Sequence, residues 1–257
     1  MPQIDVTLPS GAKGSVRGLK GRELNLFANK AAARRGRTSL QILKNVWVKT
    51  DELGPLYNEQ IDWDKSPQCD RFVALFYARI ATYGTEYAFH HKCTNVPECG
   101  KKFEWVEDLS KRPIKPLPES SIDTYLNGNK FMTEAVDPEG SIRKVQFQLL
   151  VPKLEMKIDQ VQGMAPKEKV TASLAQRIYG IEGLESGKGP IKRFLEDMDA
   201  GPLYDLLEAM DSVDGGIDTE IEVECPHCGE VEFLDLPLGD EFWSPPRRKR
   251  SSGTSTM

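Results

Sequence analysis

The chain is 257 residues long, 28% charged and 39% hydrophobic, with a formal net charge of -5. That length buries about three quarters of the unfolded surface in one large domain or two ordinary ones, so no metal is needed to make up for a small core. The acidic balance excludes a general affinity for phosphate backbones, and no apolar run approaches the length of a membrane span. MPQIDVTLPSG lacks the basic and apolar regions of a signal peptide, which predicts an intracellular protein.

QIDVTL, the break PSGAKG and SVRGL predict a β-hairpin. Residues 20–36 predict a helix with Leu24, Phe27 and Ala31 on one face, and Thr38 or Ser39 caps a second running to about Lys49. After a loop, Ser66 and Pro67 take the N-cap and first position of a third helix. Its Phe72, Val73, Phe76, Tyr77, Ile80 and Tyr83 recur at helical spacing before Gly84. The strands EYAFHHK and KFEWVEDL then flank CTNVPECG.

The proline-rich stretch 113–127 reads as a linker between an N-terminal unit, 1–112, and a second unit, 128–246, with a disordered tail at 247–257. In the second unit KFMTEAV, the turn DPEG and SIRKVQFQLL predict another hairpin. Helices follow at about 153–163, 166–181 and 190–212, with Pro166 and Pro190 in first turns. Gly215 and Gly216 break the chain before the strand IDTEIEVE, the turn CPHCG and the strand EVEFLDLPL. Each half thus runs hairpin, helices, strand, paired cysteines, strand. The expected fold is α+β: two related hairpin-plus-helices repeats, an internal duplication of about 100 residues, joined by a zinc-ribbon-like four-cysteine clasp.

Five cysteines without a secretory signal favour thiols or metal over disulfides. Cys225 and Cys228 have the spacing of one zinc-ribbon knuckle, and Cys93 and Cys99 supply the other half-site. The second cysteine of each pair is followed by glycine, which lets the backbone turn and aim an amide at a sulfur. Four thiolates make a closed structural zinc site with no open position for water and so no hydrolytic chemistry. Closing the long interval between the knuckles costs about 4 kcal/mol against roughly 10–16 kcal/mol for structural zinc. The alternative is two pairs of reduced thiols without metal. His90, His91 and His227, each within three residues of a cysteine, are expected beside the ligands or exposed, and Cys69 as a packed or surface thiol.

No phosphate-binding GxxxxGK[ST], HExxH or GxSxG occurs, and LESGKGPIKRF has the wrong spacing for a phosphate loop. The carboxylate pairs Glu107 with Asp108 and Asp197 with Asp199 read as solvated surface. A non-enzymatic protein is expected, with no small-molecule substrate. The tail carries the basic run RRKR, residues 247–250.

LPSG followed by a basic-apolar strand, a GREL-type helix start, DRFVALFYARIATYGTEYAF before the first cysteine pair, FEWVEDLS after it, VQFQLL, a CxxC and a terminal FWSP resemble the T4-type baseplate hub family of tailed phages, which includes hub assembly chaperones. The resemblance covers about residues 3–245. It implies a late viral protein that assembles the hub of a contractile tail, with baseplate hub and tape-measure proteins as partners. It also places the metal ligands at Cys93, Cys99, Cys225 and Cys228. The implied location is the host cytoplasm during assembly, with the virion baseplate as the second location. The first cysteine pair is spaced more widely than the family's, and GAKGSVRGL stands where a GxxYP-like stretch often follows LPSG. The rival reading is a zinc-ribbon nucleic-acid-binding regulator, which the acidic residues on the knuckle strands disfavour: Glu104, Glu107, Asp108, Glu230, Glu232 and Asp235.

Overall fold

A computed structural model describes residues 3–28, 37–96, 98–161, 166–239 and 242–243. The fold is α+β, with helices packed on small antiparallel sheets. Among the described residues no helix is long and apolar enough to cross a membrane.

The first half opens with the hairpin β1 (Gln3–Thr7) and β2 (Lys13–Arg17), followed by α1 (Gly21–Ala28), α2 (Arg37–Val46) and β3 (Trp47–Glu52). β3 pairs antiparallel with β2, giving the sheet order β1-β2-β3. The helix expected to run to Lys49 therefore stops at Val46. WVKTDE is extended because β2 offers it a hydrogen-bonding edge, and tertiary pairing outweighs a weak local preference. Gly14 makes the approach feasible: a Cβ there would stand 2.3 Å from both the Trp47 ring and the Lys49 carbonyl. Of the face expected on the first helix, the side chains of Leu24 and Phe27, and Ala31 altogether, lie outside the described residues.

Glu23, fully buried on α1, is held by Arg17 (3.0 Å), Arg22 (2.8 Å) and the Lys20 amide (2.7 Å). Burial opposes its ionisation, but these donors outweigh burial and bring its pKa down to about 2. A lowered folded-state pKa stabilises above the ordinary carboxylate value and is lost as pH falls through the folded one. Glu23→Gln is accordingly expected to cost about 2 kcal/mol at pH 6, with the gap narrowing below about pH 4.5 towards pH 2. Urea midpoints of both proteins across that range check this; a gap independent of pH refutes it.

The long helix α3 (Gln68–Tyr83) organises the molecule. Pro67 is its N-cap, one residue later than expected, while Ser66 Oγ bonds the Trp63 carbonyl; Gly84 ends it at φ 88°. Among the described residues buried side chains gather in three clusters, and α3 contributes to each. Val73, Ala74 and Ala78 face the first sheet and α2. Phe76 and Ile80 face the cysteine-bearing hairpins, and Cys69 enters the core of the second half. A helix partnered on several sides has to be apolar around most of its circumference, which explains the dense VALFYARIATY run.

After α3 come β4 (Glu86–Lys92) and β5 (Lys102–Asp108), a hairpin in register from Glu86↔Asp108 to Lys92↔Lys102. The stretch expected as a linker carries β6 (Ile114–Lys115) and α4 (Glu119–Leu126), with Leu117 and Ser121 buried. The second half then runs β7 (Phe131–Val136), β8 (Ile142–Phe147), α5 (Pro152–Val161), α6 (Pro166–Arg177), β9 (Ile178–Ile181), α7 (Lys188–Asp197), α8 (Ala200–Ser212), β10 (Gly216–Ile217), β11 (Glu220–Glu224) and β12 (Val231–Asp235). Its main sheet has the order β7-β8-β9, so each half holds a hairpin with a third strand added after a helical stretch, two helices of which lie among the described residues. IYGI, expected as a helix end, is that third strand. Lys188 at the start of α7 donates to the carbonyls of Ala175, Gln176 and Ile178, satisfying orphan acceptors where α6 stops. The helix expected over 190–212 is two helices, broken at Met198–Asp199 where the backbone is extended.

Several bonds join the halves. β6 pairs with β10, the Leu117 amide donates to Pro9, and the Gln68 amide donates to Leu150. Arg71, itself buried, makes a two-pronged ion pair with Glu155, with Nη2 at 2.9 Å from Oε1. The neighbouring Asp70 is fully buried and accepts from the Ser10 amide (2.9 Å) and the Tyr57 hydroxyl (2.6 Å). Burial, only partly offset by those bonds, raises the Asp70 pKa.

Candidate metal centre

The two cysteine hairpins pack with Tyr87, Phe89 and Phe103 of β4–β5 and Ile221 and Val223 of β11–β12 in one core. Alternation along the strands does this: β4 and β11 both place every second residue inside. The tips of the two ribbons thereby come together, and each tip is a cysteine knuckle.

In the first knuckle the Cys93 amide donates to Lys101 (3.0 Å) and the Cys99 amide to Asn95 (2.8 Å); in the second the Cys225 amide donates to Glu230 (2.8 Å). Gly100 (φ 60°) and Gly229 (φ 75°), each following the second cysteine of its pair, adopt the left-handed conformation expected of them. The four sulfurs of Cys93, Cys99, Cys225 and Cys228 all lie within 4.8 Å of one another. Across the knuckles Cys93 Sγ is 3.7 Å from Cys228 Sγ, and Cys99 Sγ is 3.8 Å from Cys225 Sγ. The first cysteine of each pair thus faces the second cysteine of the other. Sulfurs about 2.3 Å from a tetrahedral ion stand about 3.8 Å apart, so the spacing fits a thiolate-bound metal without rearrangement of the backbone.

The protonation balance fits as well. Cys225 is opposed in ionising by burial, but the backbone amides of His227 and Cys228 outweigh it and bring the thiol down to about 7. Burial pushes Cys93 up to about 12, against the pull of the Asn95 amide. Four sulfurs this close cannot all carry charge without a cation between them.

Around the ligands, Glu232 on β12 ties the ribbons together. It accepts from His91 Nε2 (2.8 Å) and from the Thr94 amide (2.8 Å), and these two, the amide foremost, hold its carboxyl below the usual range. His91 also packs edge-on against Phe103. His90 and His227 are exposed, so none of the three histidines joins the sulfur cluster. Cys69 is buried in another core, and burial raises its thiol pKa well above the ordinary value.

No family model, curated protein or solved structure matches the chain.

Two features of this region were missed at the level of sequence. Glu107 is not solvated surface: it is largely buried, paired with Arg112 (3.2 Å) and accepting from Trp105 Nε1 (3.1 Å). Arg112 in turn donates to the Glu220 carbonyl, linking the bases of the two ribbons. Arg79 is buried at 2% exposure, with its guanidinium 5.3 Å from the ring centres of both Tyr87 and Phe242. Burial lowers its pKa, and Nη1 and Nη2 are satisfied by the carbonyls of Gly84 and Glu86. A conceivable signal for it was an arginine at a core-facing position of an aromatic helix.

Proposed function

We propose that this chain is a non-enzymatic assembly protein of a phage tail baseplate hub, a chaperone or structural hub component whose two halves are clasped by one structural zinc ion. The observation that carries the clasp is the cluster of four cysteine sulfurs drawn from ribbons more than a hundred residues apart in sequence. Cys93, Cys99, Cys225 and Cys228 would hold the ion, and a fully thiolate-ligated zinc supplies cross-linking rather than turnover. The shared order of elements in the halves supports an origin by internal duplication. The assembly role rests on the resemblance of residues 3–245 to the T4-type baseplate hub family. Hub and tape-measure proteins are the partners it implies, met in the host cytoplasm during assembly or, for a structural hub component, in the virion baseplate.

The exposed glutamates of β11, Glu220, Glu222 and Glu224, weigh against the rival reading as a nucleic-acid-binding regulator, because a phosphate-binding ribbon needs cations there. Affinity capture from infected cells at two salt concentrations separates the readings. Hub or tape-measure proteins retained at both concentrations are the expected result, since packed apolar interfaces resist moderate salt. Nucleic acid that is lost at the higher salt, with no tail protein in either sample, refutes the assembly role.

A further inference from the structure

The outer face of the β11–β12 ribbon is chemically incomplete. Glu220, Glu222 and Glu224 alternate along β11, all exposed, and stand opposite Asp235, Phe233 and Val231 in the register Glu220↔Asp235, Glu222↔Phe233 and Glu224↔Val231. Directly opposed residues share a face, so four carboxylates frame two apolar side chains. Phe233 is 67% exposed and Val231 44%. Like charges on one strand face repel, and a large exposed aromatic at the centre of a ribbon forfeits the burial that would stabilise it. Among the described residues no cation pairs with the carboxylates of Glu220, Glu222 or Glu224. The outer face of β4–β5 differs, since there Lys92 and Lys102 stand on the same face as Glu86, Glu104 and Asp108.

A suitable occupant carries several cations on long alkyl stems: the charges meet the carboxylates, and the stems or a guanidinium plane cover the phenyl ring. The chain itself has such a segment, Arg247-Arg248-Lys249-Arg250. Its point of departure is favourable. Phe242 is wholly buried against Phe76 and Tyr87, in the same core as Ile221 and Val223, the inward side chains of β11. Tyr87 lies at the base of its ribbon and donates to the Pro237 carbonyl, just beyond Asp235. Residues from Trp243 to Arg250 reach up to about 23 Å when extended, enough to pass round a ribbon about 10 Å thick.

We propose that the basic run 247–250 docks on the outer face of β11–β12 of its own chain, its cations on Glu220, Glu222, Glu224 and Asp235 and one of its stems across Phe233. The acidic ribbon then holds the most basic segment of the chain away from polyanions. This inference requires neither the metal nor the baseplate role.

The test is the rate at which trypsin cuts after residues 247–250 in the whole folded protein, compared with a free peptide of residues 241–257. At low salt the tail of the protein is expected to be cut about fivefold more slowly than the peptide, with the two rates converging as salt rises. Glu222→Lys/Glu224→Lys, both exposed positions, should bring the tail to the peptide rate at low salt, with the thermal melt verifying that the variant is folded. The salt series on the unaltered protein stands by itself should that variant misfold. Equal rates for protein and peptide at low salt overturn the proposal, as does protection that survives the double substitution. Protection that grows with protein concentration also overturns it, because the run would then be seated on a second copy.

Discussion

Cys228→Ser, or a strong chelator acting on the unaltered chain, is expected to remove about one zinc per molecule and with it the cooperative unfolding of the two ribbons. Cys228 is exposed, so the substitution opens no void in the core and isolates the loss of one sulfur. A ligand present at a thousand times its dissociation constant stabilises the folded state by about 4 kcal/mol, and a closed thiolate site reaches that regime at trace zinc. The effect should be local at first. Ile221, Val223, Phe89 and Phe103 share one core with the cysteines, whereas the first and second sheets have cores of their own. Cys93→Ser is expected to lose the ion equally. Metal analysis of freshly purified reduced protein decides the matter: no zinc refutes the clasp, and two ions per chain indicate separate half-sites shared between molecules.

The second large effect concerns the aromatic pair that follows β12. Phe242 is 0% exposed, stacked on Phe76 at 5.6 Å and edge-on to Tyr87 at 5.1 Å. Truncating a buried phenylalanine removes its transfer free energy and leaves a cavity, so Phe242→Ala is expected to cost about 3–5 kcal/mol in urea unfolding. Part of that loss is specific to this site, because the Phe242 ring also covers the buried Arg79 guanidinium. Trp243→Ala should cost less, since Trp243 is only partly buried and packs at the margin of the same core. A Phe242→Ala protein as stable as its parent would contradict docking of this segment onto the core. Phe242 thus anchors the chain beyond β12 to the protein's own core.

Much of this arrangement was legible in the sequence because the relevant signals are local. EYAFHHK, KFEWVED and EIEVE alternate in polarity and are strands with bounds close to those expected, since a period of two admits only one way of hiding a face. The four cysteines, each pair followed by a glycine with positive φ, announce the turn geometry that brings their sulfurs together. Asp137 in DPEG likewise acts as a turn residue, accepting from the amides of Glu139 and Ser141 and from Arg143.

What the sequence alone could not decide was set by partners distant along the chain. WVKTDE and IYGI are short and lack strong alternation; each is a strand because β2 or β8 presents an open edge, and the hydrogen bonds gained there exceed a small helical preference. The proline-rich segment 113–127 is packed because β10 and Pro9 supply partners for its backbone. Glu107 is paired rather than solvated because Arg112 folds back beside it. Composition and spacing determined which residues seek burial, turn or bind metal. Tertiary structure decided which of them meet, because contact between remote segments depends on the whole chain folding at once.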